Sequence, residues 1–338
     1  MTSTDVRTII LDGFDDPRVG PHRWSELLRR GETDSVNLTW EWQRSWWRSF
    51  ERGQLLLVAA ERDGELVAVG PWFADGGMVF NLCPEDALDV VGDVSDPDVL
   101  DAMLRAAIEQ ADDFQGFQFY FIPDTSRTGP RLQMAAERLG MSCCVLDELP
   151  SPYIDIARHL DAALACTKKQ SLVRHDRALR RIGPLEVRHL TRAEEILPHL
   201  AAFFDQHVQR RAATPHPSLF VDAAQRDYYR RLTMEIGPTG WLRFTRLDLD
   251  GGGIAFHYGL CYRGRYLYGI PSFDIAMARY GPGEVLLRQL FLAAIEEGAQ
   301  TFDFGIGDEP YKYRFATDVV RLQTWGIHPA RAADGGPR

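Results

Sequence analysis

The chain has 338 residues, 45% hydrophobic and 25% charged, which suits a globular protein of about two domains and excludes a low-complexity or fibrous chain. Its net charge of −10 argues against a protein that coats nucleic acid, DNA included. Its five cysteines (Cys83, Cys143, Cys144, Cys166 and Cys261) are odd in number and lack Cys-x-x-Cys spacing, as expected of buried thiols in a reducing compartment. No apolar run approaches the roughly 18 residues of a membrane span, and residues 1–7 lack the basic and apolar regions of a secretory signal. The cytoplasm is therefore the expected location.

In chain order, residues 40–50 read as an aromatic-rich helix, with Trp42, Trp46 and Trp47 on neighbouring positions. Core packing is the first reading of these rings; a platform lining an acceptor groove is the second. Residues 55–61 and 66–72 form a hairpin about Asp63-Gly64, 97–111 a helix, 117–122 a strand, 130–139 a helix, and 142–146 and 153–156 strands. Residues 158–183 read as a mostly helical linker ended by Gly183-Pro184. This basic stretch runs against the overall charge: residues 158–192 hold nine Arg or Lys against three acids. Arg174, Arg177 and Arg181 share one helical face. They are either a solvated face or an anion site for a nucleotide-linked acceptor or a tRNA backbone.

Residues 185–189 open a second domain as a strand. Helices follow over 193–211 and 218–236, joined by Thr214-Pro-His-Pro217. Strands at 241–245 and 254–262 flank a turn at 248–253, and 265–272 is a further strand. His257 lies mid-strand; it is either a satisfied core histidine or a substrate-facing one. A loop ending in Tyr280-Gly-Pro-Gly283 feeds a helix over 284–298, whose Leu287, Leu290, Phe291, Ala294 and Ile295 share a face. Such a loop at a helix start offers free backbone N–H groups and a positive dipole end, which suits phosphate. The strand Phe302-Asp-Phe304 then enters Gly305-Ile-Gly-Asp-Glu-Pro-Tyr-Lys-Tyr-Arg-Phe315. Lys312 is one of only three lysines, with Lys168 and Lys169, in a chain that otherwise uses arginine. It is expected at the surface of the turn, where a charge swap would cost less than about 0.5 kcal/mol of stability.

Together, Gly281-Pro-Gly283, Phe302-Asp-Phe-Gly305 and Gly307-Asp-Glu-Pro-Tyr-Lys-Tyr-Arg-Phe315 resemble the GNAT acyltransferase domain. More narrowly, they resemble the bacterial branch related to FemAB aminoacyltransferases and the CelD-type cellulose-biosynthesis proteins. The Trp40–Phe50 helix and the basic segments 168–174 and 179–181 fit the same resemblance. It implies an α/β (mixed α+β) fold of tandem GNAT-like domains, each a mixed, mostly antiparallel sheet flanked by helices. The corresponding organisation is a degenerate N-terminal domain over 1–157, a linker over 158–184, an acyltransferase domain over 185–330 and a tail over 331–338. In the first half no Gly-x-Gly loop precedes the 97–111 helix and no acidic Tyr-Lys segment follows the 117 strand, so that half is read as lacking its own cofactor.

The resemblance also implies acyl-CoA, acetyl-CoA in particular, as donor, bound through Arg279, Tyr280, Gly281 and Gly283. One departure stands out. The superfamily loop reads Gln/Arg-x-x-Gly-x-Gly/Ala, and its first position here is Ala278, with Arg279 one place late. That leaves room for another donor. N-acyl transfer needs a neutral amine, a polarised carbonyl and a proton for the leaving group. Asp308 or Glu309 can take the amine proton. Lys312 can hold an acceptor anion or steady an oxyanion. The resemblance gives Tyr311 the role of protonating a departing thiolate. Asp303 either lines the cleft or anchors the neighbouring loop, and Arg314 either contacts substrate or pairs with a surface carboxylate.

Three functions follow: an N-acyltransferase moving an acyl group from acyl-CoA to an amino sugar or other small-molecule amine in envelope or polysaccharide synthesis, a FemAB-like transferase using aminoacyl-tRNA, and a non-catalytic partner of a polysaccharide-synthesis complex. Among nine scattered histidines none has ligand spacing with Cys or a carboxylate, so no metal site is expected. The absence of Gly-x-Ser-x-Gly weakens a serine-hydrolase reading.

Overall fold

The computed structural model describes residues 6–212 and 214–330; the expected tail at 331–338 and the first five residues of the chain lie outside them. Two compact units divide the chain: residues 1–150 with 320–338, and residues 151–319.

The first unit begins with β1 (Val6–Leu11), α1 (Pro21–Leu28) and α2 (Trp40–Phe50). An antiparallel meander follows: β2 (Gln54–Arg62), β3 (Glu65–Asp75) and β4 (Met78–Asn81), with a short β5 (Val91–Gly92) beside β3. Then come α3 (Pro97–Gln110), β6 (Gly116–Pro123), α4 (Thr128–Arg138) and the start of β7 (Met141–Asp155). β6 runs parallel to β4, through the register Met78↔Gly116 to Phe80↔Gln118. Trp24, Trp42 and Trp46 are buried, as the packing reading of the aromatic helix expects. Trp47 stays half-buried and lines a shallow cleft of about 420 Å³ with Asp12, Phe14, Asp15 and Glu51.

The second unit starts within β7 and continues through α5 (Leu160–Thr167), α6 (Gln170–Ile182), β8 (Leu185–Leu190), α7 (Ala193–Ile196), α8 (Leu200–Arg211) and α9 (Ala223–Ile236). Its meander is β9 (Leu242–Leu249), β10 (Gly252–Tyr262) and β11 (Arg265–Phe273). It closes with α10 (Pro282–Glu296), β12 (Thr301–Asp303) and the single-turn α11 (Pro310–Tyr313), after which β13 (Asp318–Pro329) returns the chain to the first unit. There β13 pairs antiparallel with β6. β12 is parallel to β11 and antiparallel to β7. Each unit is thus a mostly antiparallel open sheet flanked by helices, and both follow one plan: a strand, helices, a three-stranded meander, a helix, and a strand parallel to the last of the meander.

Sequence logic accounts for the elements that frame the later site. α10 has Pro282 at its first position and buries Leu287, Leu290, Phe291 and Ala294, the face expected from spacing. The basic stretch is not a free linker: α6 buries Leu172 and Leu179 in the same core as α10. Phe302 of β12 stacks on Tyr266, with centroids 5.6 Å apart, and meets Phe291 at 4.6 Å. None of the five cysteines forms a disulfide among the described residues; Cys83 and Cys166 are buried, whereas Cys144 is exposed, contrary to a uniformly buried set. Among the described residues no helix is long and apolar enough to cross a membrane.

His257 belongs to the core and not to a substrate surface. Its ring is fully buried and stacks with Tyr266 and Tyr268, at interplanar angles of 11° and 12°. The space comes from Gly259, where a Cβ would overlap the imidazole. The expectation of a satisfied histidine fails, because neither ring nitrogen has a hydrogen-bond partner among the described residues. Burial holds its pKa down to about 3 from an ordinary 6.5, and burial with nearby Arg211 and Arg210 holds His207 down to about 4. The unfolded chain takes up these protons below pH 6.5 while the folded chain does not. Their stabilisation is therefore complete above pH 6.5 and is lost as pH falls toward 4 and 3. His257→Phe keeps the ring stack and removes one such proton. The loss of unfolding free energy on acidification from pH 6 to 5 should shrink by about 1.4 kcal/mol per pH unit, measured by urea unfolding. Equal acid slopes in both proteins would show that His257 is not a buried neutral group.

Candidate functional site

The site arises where two parallel strands part. β11 and β12 pair at Arg265↔Thr301, Tyr266↔Phe302 and Leu267↔Asp303, and pairing ends there. A bulge between β10 and β11, at Tyr258/Leu260, adds one residue to β11 just past that point. The extra residue brings Tyr268, Pro271 and Phe273 to one wall. Tyr311, Arg314 and Phe315, after β12, line it too, as do Gly281 to Glu284 and Leu287 at the start of α10; a Cβ at Gly283 would meet the Phe273 ring at 3.0 Å. The cleft holds about 370 Å³ and also takes in His175 of α6 and Arg210 of α8.

Arg210 was not singled out by sequence, where it is one of many arginines on a helix. Its guanidinium lies 4.4 Å over the Phe273 ring and donates to the Pro271 carbonyl at 2.7 Å. Burial lowers its pKa. Other arginines of comparable burial have carboxylate partners, such as Arg131 with Glu32 and Arg243 with Glu297. Arg210 has none among the described residues, so its charge is left for a ligand. Tyr268 and Tyr311 stand near it. Burial, with the Glu309 charge nearby, pushes Tyr311 up to about 12. Burial likewise raises Tyr268. Both phenols keep their protons at neutral pH.

The glycine loop differs from the expected phosphate cradle. Gly281 adopts a left-handed φ of 64° and caps α10, and a Cβ there would sit 2.5 Å from His175 Nδ1. Its N–H donates to the Ala278 carbonyl, Pro282 has no N–H, and the Glu284 and Val285 N–H groups both donate to the Gly281 carbonyl. Of the amides from Gly281 to Val285, only Gly283 lacks a carbonyl acceptor among the described residues. Glu284, in the first turn, already answers the helix's positive end. Its carboxylate is 2.8 Å from His175 Nδ1 and 3.7 Å from Arg314. His175 and Glu284 were also missed in the sequence; their contact spans 109 residues.

Four of the expected site residues, Gly281, Gly283, Tyr311 and Arg314, line this cleft. Lys312 does not. It is 3% exposed, contrary to its expected surface position, and its ammonium donates to the carbonyls of Gly305, Ile306 and Gly307 at 3.0, 2.9 and 3.4 Å. It also pairs with Glu309 at 2.9 Å. Asp308 is exposed and accepts from the Tyr313 hydroxyl at 2.5 Å. Asp303 is buried and takes the anchoring role, accepting from Arg265 at 2.7 Å and the Gly305 N–H at 2.9 Å. Arg279 is exposed, lies over the Tyr280 ring and stays outside the cleft lining, as does Tyr280. Arg174 and Arg177 are exposed on α6. Among the described residues no group of three or more His, Cys, Asp or Glu side chains could hold a metal ion.

The burial of Lys312 changes what its replacement should do. Lys312→Ala leaves three turn carbonyls without their donor and should cost about 1–3 kcal/mol. Lys312→Arg should also destabilise, because a planar fork cannot converge on three carbonyls from one buried point. Chemical denaturation of both variants checks this, and an unfolding free energy unchanged in Lys312→Ala would remove the turn from its control.

Residues 167–313, less than half of the chain, match the family profile described as acetyltransferase (GNAT) domain. No curated protein sequence matches the chain. Solved structures of similar fold include FemX, with a TM-score of 0.63 and 12% identity over 91% of this chain and 96% of that one. They also include the C-terminal domain (DUF2156) of a putative lysylphosphatidylglycerol synthetase from Agrobacterium fabrum, with a TM-score of 0.56 and 17% identity over 90% and 92%. L-PGS from Bacillus licheniformis superposes with a TM-score of 0.56 and 15% identity over 93% of each chain. At these identities the likeness concerns the fold. The profile match falls on the unit that carries the cleft, and this chain therefore contains an acyltransferase domain of the GNAT type.

Proposed function

We propose that the chain transfers an acyl group to a small-molecule amine and that the donor is an aminoacyl ester of tRNA. The observation that carries the choice of donor is the glycine loop, where hydrogen bonds within the loop and Pro282 leave one free amide for a pyrophosphate. The FemAB-like resemblance supplies the alternative donor, and the fold likeness to FemX and to lysylphosphatidylglycerol synthetases is consistent with it. The exposed face of α6 supports it too, since Arg174, Arg177 and Arg181 have no ion-pair partner among the described residues. In this reading the acceptor is an amino sugar or related envelope or polysaccharide precursor, and the protein acts in the cytoplasm.

The chemistry divides among the cleft residues. Glu309, exposed and outside the cleft lining but near enough for its charge to raise the Tyr311 pKa, takes the proton that frees the amine. Arg210 balances the oxyanion that forms as the amine attacks the carbonyl. Tyr311, protonated at neutral pH, gives its proton to the departing ribose oxygen and recovers one from the amine nitrogen. Lys312 and Asp303 are positioning residues that hold the turn carrying Tyr311. Acyl-CoA is the second reading, favoured by the description of the matching family profile.

Two measurements test the choice. Aminoacyl-tRNA should support transfer to amine acceptors where acetyl-CoA does not; turnover with acetyl-CoA alone would reverse the assignment. In filter binding across a salt series, replacing Arg174, Arg177 and Arg181 with Gln should flatten the slope of log affinity against log salt by about 2–3. Wild-type protein that binds no tRNA at low salt would sink the tRNA reading.

A further inference from the structure

We propose that Glu284 is a specificity-determining residue, acting as a resident anion that keeps the pyrophosphate of a nucleotide-linked donor out of the α10 glycine loop. The inference rests on the acyl-transfer reading of the cleft and adds to it a residue and a rule of selection. The start of α10 has the ingredients of an anion site: a helix's positive end, an arginine from the segment after α11, and a histidine from α6. All three are engaged by one side chain of the chain itself. Glu284 Oε2 lies 2.8 Å from His175 Nδ1, and Glu284 Oε1 lies 3.7 Å from Arg314. Arg314 is steadied from the far side by the Ser171 hydroxyl at 3.3 Å. His175 fills the volume above Gly281, so the carboxylate and its partner occupy the approach to the loop as well as its charge.

A second feature makes the exclusion selective. Hydrogen bonds within the loop leave one amide over, so the loop itself offers an entering phosphate little to replace the partners that Glu284 holds. It would have to displace Glu284 from Arg314 and then lie beside a carboxylate one-third exposed, at a cost in like-charge repulsion. Discrimination by a built-in repulsive group is a recognised route to specificity. The rest of the cleft places no such bar on an uncharged chain. Its walls are Tyr268, Pro271, Phe273, Leu287 and Phe315, and Arg210 is left free. A donor whose phosphates lie outside the loop is admitted, and a donor that needs the loop for its phosphates is refused.

The test uses binding, so its outcome does not depend on knowing the acceptor. Coenzyme A and pantetheine, which lacks the phosphates, are titrated calorimetrically into wild type and Glu284→Gln, with Glu284→Ala as a second variant. Glu284→Gln keeps the size and the hydrogen bond to His175, and a thermal melt confirms that each variant is folded. Coenzyme A affinity should rise at least tenfold in both variants, about 1.4 kcal/mol, while pantetheine affinity stays the same. Equal coenzyme A affinity in wild type and both folded variants overturns the proposal. So does a parallel gain for pantetheine, which would make Glu284 a steric obstacle with no charge rule. Turnover with aminoacyl-tRNA separates the two claims: if it persists while coenzyme A affinity is unmoved, the donor reading stands and the role of Glu284 falls.

Discussion

Everything in the second unit depends on two parallel strands coming apart after Leu267 and Asp303. Parallel strands left side by side bury their backbone groups in a continuous ladder, and no ligand enters. Here the ladder stops after three pairs, and each side is held open by a different device. On β11 the bulge turns Tyr268, Pro271 and Phe273 to the same wall. On the β12 side, Asp303 is tied to Arg265 and to the Gly305 N–H. Lys312 then gathers the next three carbonyls into a tight turn. The chain is thereby led away from β11 at Gly305 and returned to the cleft at Tyr311. A buried ammonium is costly unless its hydrogen bonds are all supplied. Three carbonyls and Glu309 supply them, which ties the shape of the turn to one side chain.

The first unit shows what the same plan gives without that parting. β4 and β6 pair in parallel from Met78↔Gly116 to Phe80↔Gln118, the counterpart of β11 and β12. Just beyond, Asn81 donates to the Tyr120 carbonyl and accepts from the Tyr120 N–H, both at 2.9 Å. One buried amide thus mimics two rungs of the ladder and holds the strands together. Below it, Trp72 packs on Phe117 and Phe119, with centroids 6.3 and 5.2 Å away. The helix that follows in this unit, α3, starts with Pro97 and is capped by the Asp96 side chain on the Asp98 N–H, with no glycine loop.

Much of the frame was legible in the sequence because it is local. The 3.6-residue spacing of α10, the strand at Phe302 and the break at Gly281 are each set within a few residues and each is present, although α10 starts two residues earlier than expected, at Pro282, and the strand ends at Asp303. The turn at Lys312 stood out as a compositional anomaly, yet its meaning was inverted. A lysine among acids and aromatics reads as exposed until three backbone carbonyls are seen to converge on it. β13 gave no prior signal because its partner, β6, lies some 200 residues earlier, and the division of the chain depends on that pairing. Arg210 and His175 were hidden for the same reason. What distinguishes them from other arginines and histidines is the missing carboxylate in one case and Glu284 in the other, and neither fact exists until distant helices meet.

The charge pattern of the cleft argues for a division of labour along its length. At the α10 end, Glu284 is bracketed by His175 and Arg314, so the chain has already matched its own charges. Elsewhere in the lining, Arg210 lies over Phe273 with no carboxylate partner among the described residues, beside two phenols whose protons burial retains. An electrostatically satisfied part of the lining offers a ligand little beyond shape. An unsatisfied, partly desolvated part offers a cation whose interactions are strengthened by the low dielectric around it. Charge that develops during a reaction is best stabilised at the second. In the proposed reaction the chemistry is therefore centred by Tyr268, Arg210 and Tyr311, and the glycine loop, prominent as it is in the sequence, takes the proposed part of selecting the donor.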